Sequence, residues 1–348
     1  MMEKLDRIKG CMIGGAIGDA FGWPVEFLSY DQIRNKYGKG GIRNLQINSH
    51  GVAEITDDTQ MSLFTAEGLL RAETRQLRKG ICHAPSVVNN AYLRWLRTQS
   101  YPEIPDKDWI YDGWLIQHEG LFNQRAPGNT CLHALSIDRM GTIQEPLNDS
   151  KGCGGVMRVA PIGLFLEPDM AFGMAMECAA LTHGHPTGYI ASGALAYLIA
   201  LLVRGNRLED AAVDTVKKLE TVKDHEETSR ALKKAIKLSK TNRSSLKCIQ
   251  ELGEGWIAEE ALAIAVYCAL KSEDDFEAAM IMSVNHDGDS DSTGAIAGNV
   301  LGVYGGIDFI PVEMVSKVEL AQVIFEMAVD LDRGHQDTEE WWEKYPGY

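Results

Sequence analysis

Two runs of oxygen-bearing side chains stand out, Thr56-Asp57-Asp58 toward one end of the chain and Asp289-Ser290-Asp291-Ser292 toward the other. Their carboxylates and hydroxyls come with no Cys or His. That donor set suits Mg²⁺, Mn²⁺ or Ca²⁺ and argues against zinc. Each run precedes a stretch of helical periodicity, Thr59–Leu70 and Thr293–Val303. Asp, Ser and Thr also serve as N-caps and first-turn acids at any helix start, and for either run alone that is the commoner use. Both runs are flanked, however, by glycine-rich apolar sequence that belongs in an interior. Carboxylates buried there require a cation, so the pair of runs points to a metal site.

A further acid, Glu26, follows the segment GGAIGDAFGWPV and is bracketed by Trp23, Val25 and Phe27. A glutamate just past a helix end is ordinarily a solvated cap. Apolar neighbours instead desolvate the carboxyl and raise its pKa toward the range useful for general acid–base work. The glycines here are spaced GxxxGxxxG with no strand before them, which excludes a dinucleotide fingerprint. The loop SKGCGGVM (Ser150, Gly152, Cys153, Gly154, Gly155, Val156, Met157) has the ingredients of an anion-binding nest, and equally of a flexible turn. A second turn of this kind is RAPGNT, with Gly128 and Asn129. His183 and His185 (THGHP) are two apart beside Pro186, a poor spacing for chelation from a helix. They read as structural, or as hydrogen-bonding residues in a cleft. His286-Asp287 lacks the further His and Asp partners of an HD phosphohydrolase.

The elements that must position these residues are helical. Apolar residues recur at three- and four-residue spacing over Leu5–Ala20, Thr59–Leu70, Ala84–Arg97, Asp169–Thr182, Gly188–Val203, Leu208–Leu219, Glu226–Leu238, Ala258–Leu270, Asp275–Val284, Thr293–Val303 and Pro311–Asp330. Alternating β-branched runs are nearly absent. The expected fold is all-α, a compact single-domain orthogonal helix bundle over residues 1–348, with a short hairpin at Gly38–Ile47 as the one candidate for strand. Small-residue faces (Gly14/Gly18/Gly22, Gly188/Ser192/Ala196, Gly294/Gly298/Gly302) mark helices that approach closely and lie centrally. Ser100–Asp108 and Arg139–Gly155 read as surface or site loops. Lys217–Lys247 reads as exposed helices with acids interspersed among the bases, and Trp341 and Trp342 as caps on the core.

Composition narrows the function classes. A net charge of −15 does not fit binding to a nucleic-acid backbone, so no duplex partner is expected. The seven cysteines are scattered without a CxxC pair, as in free thiols of a reducing cytosol. The amino terminus lacks the apolar core of a signal peptide, and the apolar run Tyr189–Val203 is short for a bilayer span. A cytoplasmic protein with no membrane partner, working as a monomer, is expected.

Taken together, the blocks GGAIGDAFGWPVEF, ITDDTQM, RAPGNT, GCGGVMRVAPIGL, THGHP, GEGWIAEEALAIAVYCAL and HDGDSDSTGAIAGN resemble, in this order, the ADP-ribosylglycohydrolase family. The resemblance implies a binuclear cleft holding two Mg²⁺ or Mn²⁺ ions. Thr56, Asp57 and Asp58 would bind from one side and Asp289, Asp291 and Ser292 from the other, Ser292 standing where threonine is usual. It places Glu26 near the scissile bond, the loop Ser150–Met157 on the diphosphate and adjoining ribose, and His183 at the distal ribose. Lys151 and Cys153 stand where one branch of the family has an aromatic and a polar residue. The activity implied is hydrolysis of the glycosidic bond between ADP-ribose and an acceptor, protein arginine first. Serine, a nucleobase or a small ester are the other acceptors. Either Glu26 or one of Asp57 and Asp58 would assist the attacking water. The competing class is an ADP-ribose-binding or toxin-neutralising protein that acts by binding. A metal phosphohydrolase would need a phosphoryl-transfer motif that the sequence lacks.

Overall fold

The computed structural model describes residues 2–101 and 108–347, so most of the segment expected as a loop at Ser100–Asp108 lies outside the described residues. The helices in chain order are α1 (Lys4–Gly22), α2 (Tyr30–Tyr37), α3 (Asp57–Lys79), α4 (Ala84–Thr98), α5 (Asn129–Ser136), α6 (Ala160–Phe165) and α7 (Pro168–Ala180). They continue with α8 (Pro186–Val203), α9 (Leu208–Leu219), α10 (Glu226–Ser239), α11 (Ser245–Leu252), α12 (Ala258–Lys271) and α13 (Phe276–Val284). The last are α14 (Ser290–Gly305), α15 (Val312–Val315), α16 (Ala321–Arg333) and α17 (Glu339–Lys344). No strand occurs among the described residues; two isolated bridges, Ala53 with Val318 and Gly152 with Ile257, are the only β-type pairing there. The all-α expectation holds.

The centre of the molecule is the antiparallel contact of α1 and α14. Gly10, Gly14, Gly18 and Gly22 face Gly302, Gly298, Gly294 and Ser290 in turn. A β-carbon on Gly14 would lie 2.4 Å from the Gly298 carbonyl oxygen, and one on Gly298 would lie 1.9 Å from that of Gly14. Only bare backbone fits there. Asn299 fastens the pair by donating from Nδ2 to the Cys11 carbonyl at 2.9 Å. The helix α8 is apolar on all sides, as expected of one enclosed by others, and 78% of it is buried although its length and composition match a membrane span. It packs against α6, α7, α9, α12 and α14. Its small-residue face seats α6, where a β-carbon on Gly163 would meet the Ala196 carbonyl oxygen at 2.3 Å.

Three expectations need correction. The segment Gly38–Ile47 forms no hairpin, because the Asn285 side chain takes the place of a partner strand. Its Oδ1 accepts from the Ile42 N–H at 2.9 Å and its Nδ2 donates to the Ile42 carbonyl at 2.8 Å. The single helix expected over Pro311–Asp330 is two, α15 and α16, broken where Leu320 takes a positive φ of 56°. In the break, Ala53 donates to the Lys317 carbonyl at 2.8 Å and accepts from the Glu319 N–H at 2.9 Å. Of the two terminal tryptophans, Trp341 is buried and donates to Thr74 Oγ1 at 3.0 Å, whereas Trp342 is half-buried under Arg78.

The glycine contact predicts the sign of two alanine substitutions. Gly298→Ala should destabilise the protein by about 1–3 kcal/mol or more, since α1 must move to admit the methyl group. Gly173→Ala, at an exposed position of α7 with nothing within 4 Å of the added carbon, should stabilise it by about 0.5–1 kcal/mol. Chemical denaturation of the two variants beside wild type checks both; equal stability would deny the close contact its role.

Candidate active site

The site begins with Asp19, a carboxylate buried on the α1 face beside Gly18. It accepts from the Thr56 N–H at 3.0 Å, Thr56 Oγ1 at 2.8 Å, the Thr59 N–H at 3.1 Å and Thr59 Oγ1 at 2.5 Å. These are donors at the start of α3, so Asp19 pins that helix end to α1. Burial pushes its carboxyl up to about 6, against the pull of the four donors. Thr56 in turn caps α3, its Oγ1 accepting from the Asp58 N–H at 3.3 Å. At the facing helix end, Asp289 caps α14 by accepting from the Ser292 N–H at 3.2 Å. The cap reading of both acidic runs is therefore correct. It does not displace the site reading, because both helix ends open on one cleft.

That cleft has a volume of about 450 Å³, in the range of small-molecule sites. Of the residues expected there, Glu26, Asp57, Asp58, Gly128, Asn129, Gly152, Cys153, Gly154, Met157, His183, Asp289, Asp291 and Ser292 line it. Four others do not. Thr56 is wholly buried behind it with its hydroxyl turned to Asp19. Ser150 faces Thr130 and the Gly152 N–H, Gly155 packs against Ala179 and Ser192, and Val156 is in the core.

Among the described residues no lysine or arginine lines the cleft, so its five carboxylates repel one another in a desolvated place. Burial, then Asp289, Asp57 and Asp19, push Glu26 up to about 9. Burial pushes Asp57 up to about 8, although the Gly128 N–H donates to its Oδ2 at 3.2 Å. Asp58 and Asp291 are raised well above the usual carboxylate range, again by burial first and neighbouring carboxylates next. Glu26 Oε2 and Asp58 Oδ2 are buried without a hydrogen-bond partner. Cys153 Sγ donates to Asp289 Oδ2 at 2.7 Å. A wider groove of about 580 Å³ around Glu326, Asp330 and Lys344 lacks this imbalance, because Lys344 pairs with both acids.

The model of the ADP-ribosylglycohydrolase family matches residues 1–340. The chain belongs to that family. It is 25% identical over 331 residues to the ADP-ribosyl-[dinitrogen reductase] glycohydrolase of Rhodospirillum rubrum, covering 90% of this chain and 91% of that one. Against the ADP-ribosylarginine hydrolase Tri1 of Pseudomonas putida it is 25% identical, over 97% of this chain and 81% of the relative. Against human ADP-ribosylhydrolase ARH3 it is 24% identical, over 89% and 88%. A solved structure titled ADP-ribosylglycohydrolase-related protein complex shares the fold, with a TM-score of 0.61 at 24% identity over 97% of this chain and all of that one. The protein is accordingly a hydrolase of the ADP-ribosylglycohydrolase class, an enzyme that reverses ADP-ribosylation.

Two features of this glycohydrolase escape a reading of its sequence. Asp19 lies inside a motif block yet looks like any lone acid on a helix; the available signal is that it is the one charged residue in a glycine- and alanine-rich turn. Phe27 and Trp256 stack at 5.8 Å between ring centroids, 21° apart, on the cleft wall. Both are exposed, Phe27 by 67% and Trp256 by 39%, so they are a rim open to a ligand. Nothing in the sequence pairs them.

If Asp19 anchors α3, Asp19→Asn should cost about 1–3 kcal/mol, because an amide NH₂ then faces donors that have lost their acceptor. Calorimetric unfolding measures it, and a melting temperature equal to wild type would remove Asp19 from this role.

Proposed function

We propose that the glycohydrolase holds two divalent cations, Mg²⁺ or Mn²⁺, between the starts of α3 and α14 and releases ADP-ribose from modified arginine. The substrate would be an ADP-ribosylated protein or a small ADP-ribose conjugate. The observation that carries the proposal is the cleft's five carboxylates with no lysine or arginine beside them among the described residues, two of their oxygens buried without a hydrogen-bond partner there. Such a group fits cations of hard-oxygen preference. Asp57, Asp58, Asp289, Asp291 and the Ser292 hydroxyl would hold them, with Thr56 as the sixth member through the Oγ1 lone pair that its bond to Asp19 leaves free. Among the described residues no three His, Cys, Asp or Glu side chains converge on one point as a metal group, so the acids would have to draw together around a cation, with hydroxyls and water completing its shell. Bound cations would supply positive charge and orient the sugar hydroxyls.

The chain's own residues then divide the work. Gly152 and Gly154 present backbone to the diphosphate, with Gly128 and Asn129 across the cleft. Glu26 sits at the cleft wall, where burial and the neighbouring carboxylates raise its pKa; cations bound beside it would lower it again and leave the carboxylate to take a proton of water. Asp57 and Asp58 flank the same space and stabilise positive charge as it develops at the anomeric carbon. The exposed Phe27–Trp256 pair offers a π face to a guanidinium, which supports arginine over serine as acceptor. The relative named for ADP-ribosylarginine supports the same choice. A protein that only bound ADP-ribose would have no use for the unpartnered acids.

Hydrolysis of an ADP-ribosylarginine peptide, followed by free ADP-ribose, tests the reading. Asp57→Ala and Asp289→Ala should each lose Mg²⁺ binding by calorimetry and lose turnover, while remaining folded. Full wild-type activity after chelation, with no metal retained, would exclude the cations. Glu26→Gln should keep Mg²⁺ and ADP-ribose binding yet lose roughly 10²–10⁴-fold in rate, the usual worth of general acid–base assistance. A wild-type single-turnover rate in that variant would pass the role to Asp57 or Asp58.

A further inference from the structure

Below the glycine loop lies Arg158, fully buried and with no carboxylate within ion-pair distance among the described residues. Its guanidinium stacks over Tyr92 at 4.2 Å from the ring centroid and donates to the Cys178 carbonyl at 3.2 Å. It also donates to Thr182 Oγ1 at 2.7 Å. The Thr182 hydroxyl therefore accepts from a guanidinium and has one proton of its own to place.

The sulfur of Cys131 is a weak acceptor nearby and already accepts from Arg158 at 3.4 Å. Two stronger acceptors remain. The Ala179 carbonyl is 3.5 Å from Oγ1, at the limit of a hydrogen bond, and already accepts the N–H groups of Thr182 at 3.1 Å and His183 at 2.9 Å. Both its lone pairs are engaged. The other acceptor, His183 Nδ1, is 2.8 Å away. The hydroxyl proton thus goes to Nδ1, and a neutral imidazole that accepts at Nδ1 carries its proton on Nε2. Nε2 has no protein partner among the described residues. It faces the glycine loop, 3.3 Å from where a side chain on either Gly152 or Gly154 would begin, and the ring lines the cleft.

We propose that Arg158 and Thr182 are positioning residues that hold His183, which the family resemblance sets at the distal ribose, in one tautomer, as a neutral Nε2–H donor toward bound ADP-ribose. An Nε2 that bears the proton neither ligates a cation nor accepts a proton from water, so His183 is a substrate donor alone. Burial first, and then the charge of Arg158, lower the His183 pKa to about 3, so the donor persists through the physiological range. The identity of the ligand rests on the function proposed above; the tautomer does not.

Nitrogen-15 NMR of the histidines in the full chain reads the tautomer directly. Wild type should show His183 protonated at Nε2 and unchanged between about pH 5 and 8; protonation at Nδ1 would overturn the proposal. Thr182→Val, which removes the hydroxyl and keeps the shape, should mix the two tautomers and weaken ADP-ribose binding by roughly 3–10-fold, the worth of one neutral hydrogen bond. Thr182→Ser should restore both. A loss shared by ADP and ADP-ribose assigns the N–H to a phosphoryl oxygen, and a loss confined to ADP-ribose assigns it to the second ribose. Unchanged affinity in a folded Thr182→Val variant would remove the substrate role. Failure of wild type to bind ADP-ribose at all would count against the proposed function, while the spectrum would still decide the tautomer.

Discussion

Everything in the site hangs on how closely α1 approaches α14. A β-carbon at Gly22 would lie 2.2 Å from the Ser290 carbonyl oxygen and 2.5 Å from the Asp291 α-carbon. Contact at bare backbone distance therefore continues to the very ends of both helices, where α1 gives way to Glu26 and α14 begins with its acids. Glycine inside a helix costs about 1 kcal/mol relative to alanine, so a row of them weakens each helix alone and must be offset by the packing that it permits. The same closeness sinks Asp19 between neighbours, where its carboxylate gathers the donors of α3. One contact thereby sets the positions of Glu26, Asp291 and, through Asp19, Asp57 and Asp58.

The charges show where stability yields to function. On the far side of α3, buried Glu67 is met by Arg94 at 2.8 Å and by Arg71 at 3.9 Å, so an acid with only structural work is compensated within the chain. Among the described residues the acids in the cleft have no such partner, and beneath it Arg158 has no acid. A buried ion without its counter-charge is strongly destabilising. Here opposite charges are kept apart on two levels of one site. The upper level is the negative charge on which the proposed cations would sit. The lower level spends its positive charge on polarising Thr182 and His183. The starts of α3 and α14 ease the acidic level, because helix N-termini carry partial positive charge.

What the sequence makes legible follows from how local the cause is. The acidic runs announce themselves because cap chemistry and ligand chemistry both select Asp, Ser and Thr at helix starts, and the helices themselves follow from apolar spacing. The matched glycine faces of α1 and α14 are visible as two separate patterns; that they face each other is a tertiary fact. Short α2 carried a usable signal, since Ser29 and Gln32 form a capping box. The break between α15 and α16 carried none. It sets Glu319 behind the cleft, where it accepts from the Ile55 N–H at 3.2 Å and from Arg125 at 2.6 Å. Arg125 in turn holds the Ile55 carbonyl at 2.7 Å, tying the loop that carries Gly128 and Asn129 to the residue before Thr56. Apolar periodicity does not register a carboxylate that organises two loops.

The glycine loop illustrates the difference between composition and state. SKGCGGVM is flexible by composition, but its neighbours fasten it on every side. The Ser150 carbonyl accepts from the His185 N–H at 3.2 Å, the Lys151 carbonyl from the Ala258 N–H at 2.9 Å, and the Cys153 N–H donates to the Trp256 carbonyl at 3.1 Å. Lys151 pairs with Glu259 at 2.5 Å and Glu227 at 2.8 Å, which binds the loop to α12 and α10. Glycine is needed where a side chain would collide with His183 or Cys131, and mobility is not its purpose. A loop held this way pays little ordering entropy when a ligand arrives. The same fastening fixes Trp256, whose ring stacks with Phe27, next in the chain after Glu26. The proposed substrate cradle, rim and general base therefore belong to one fastened assembly, and on that proposal specificity for the acceptor comes from the shape of the rim and not from closure of the loop.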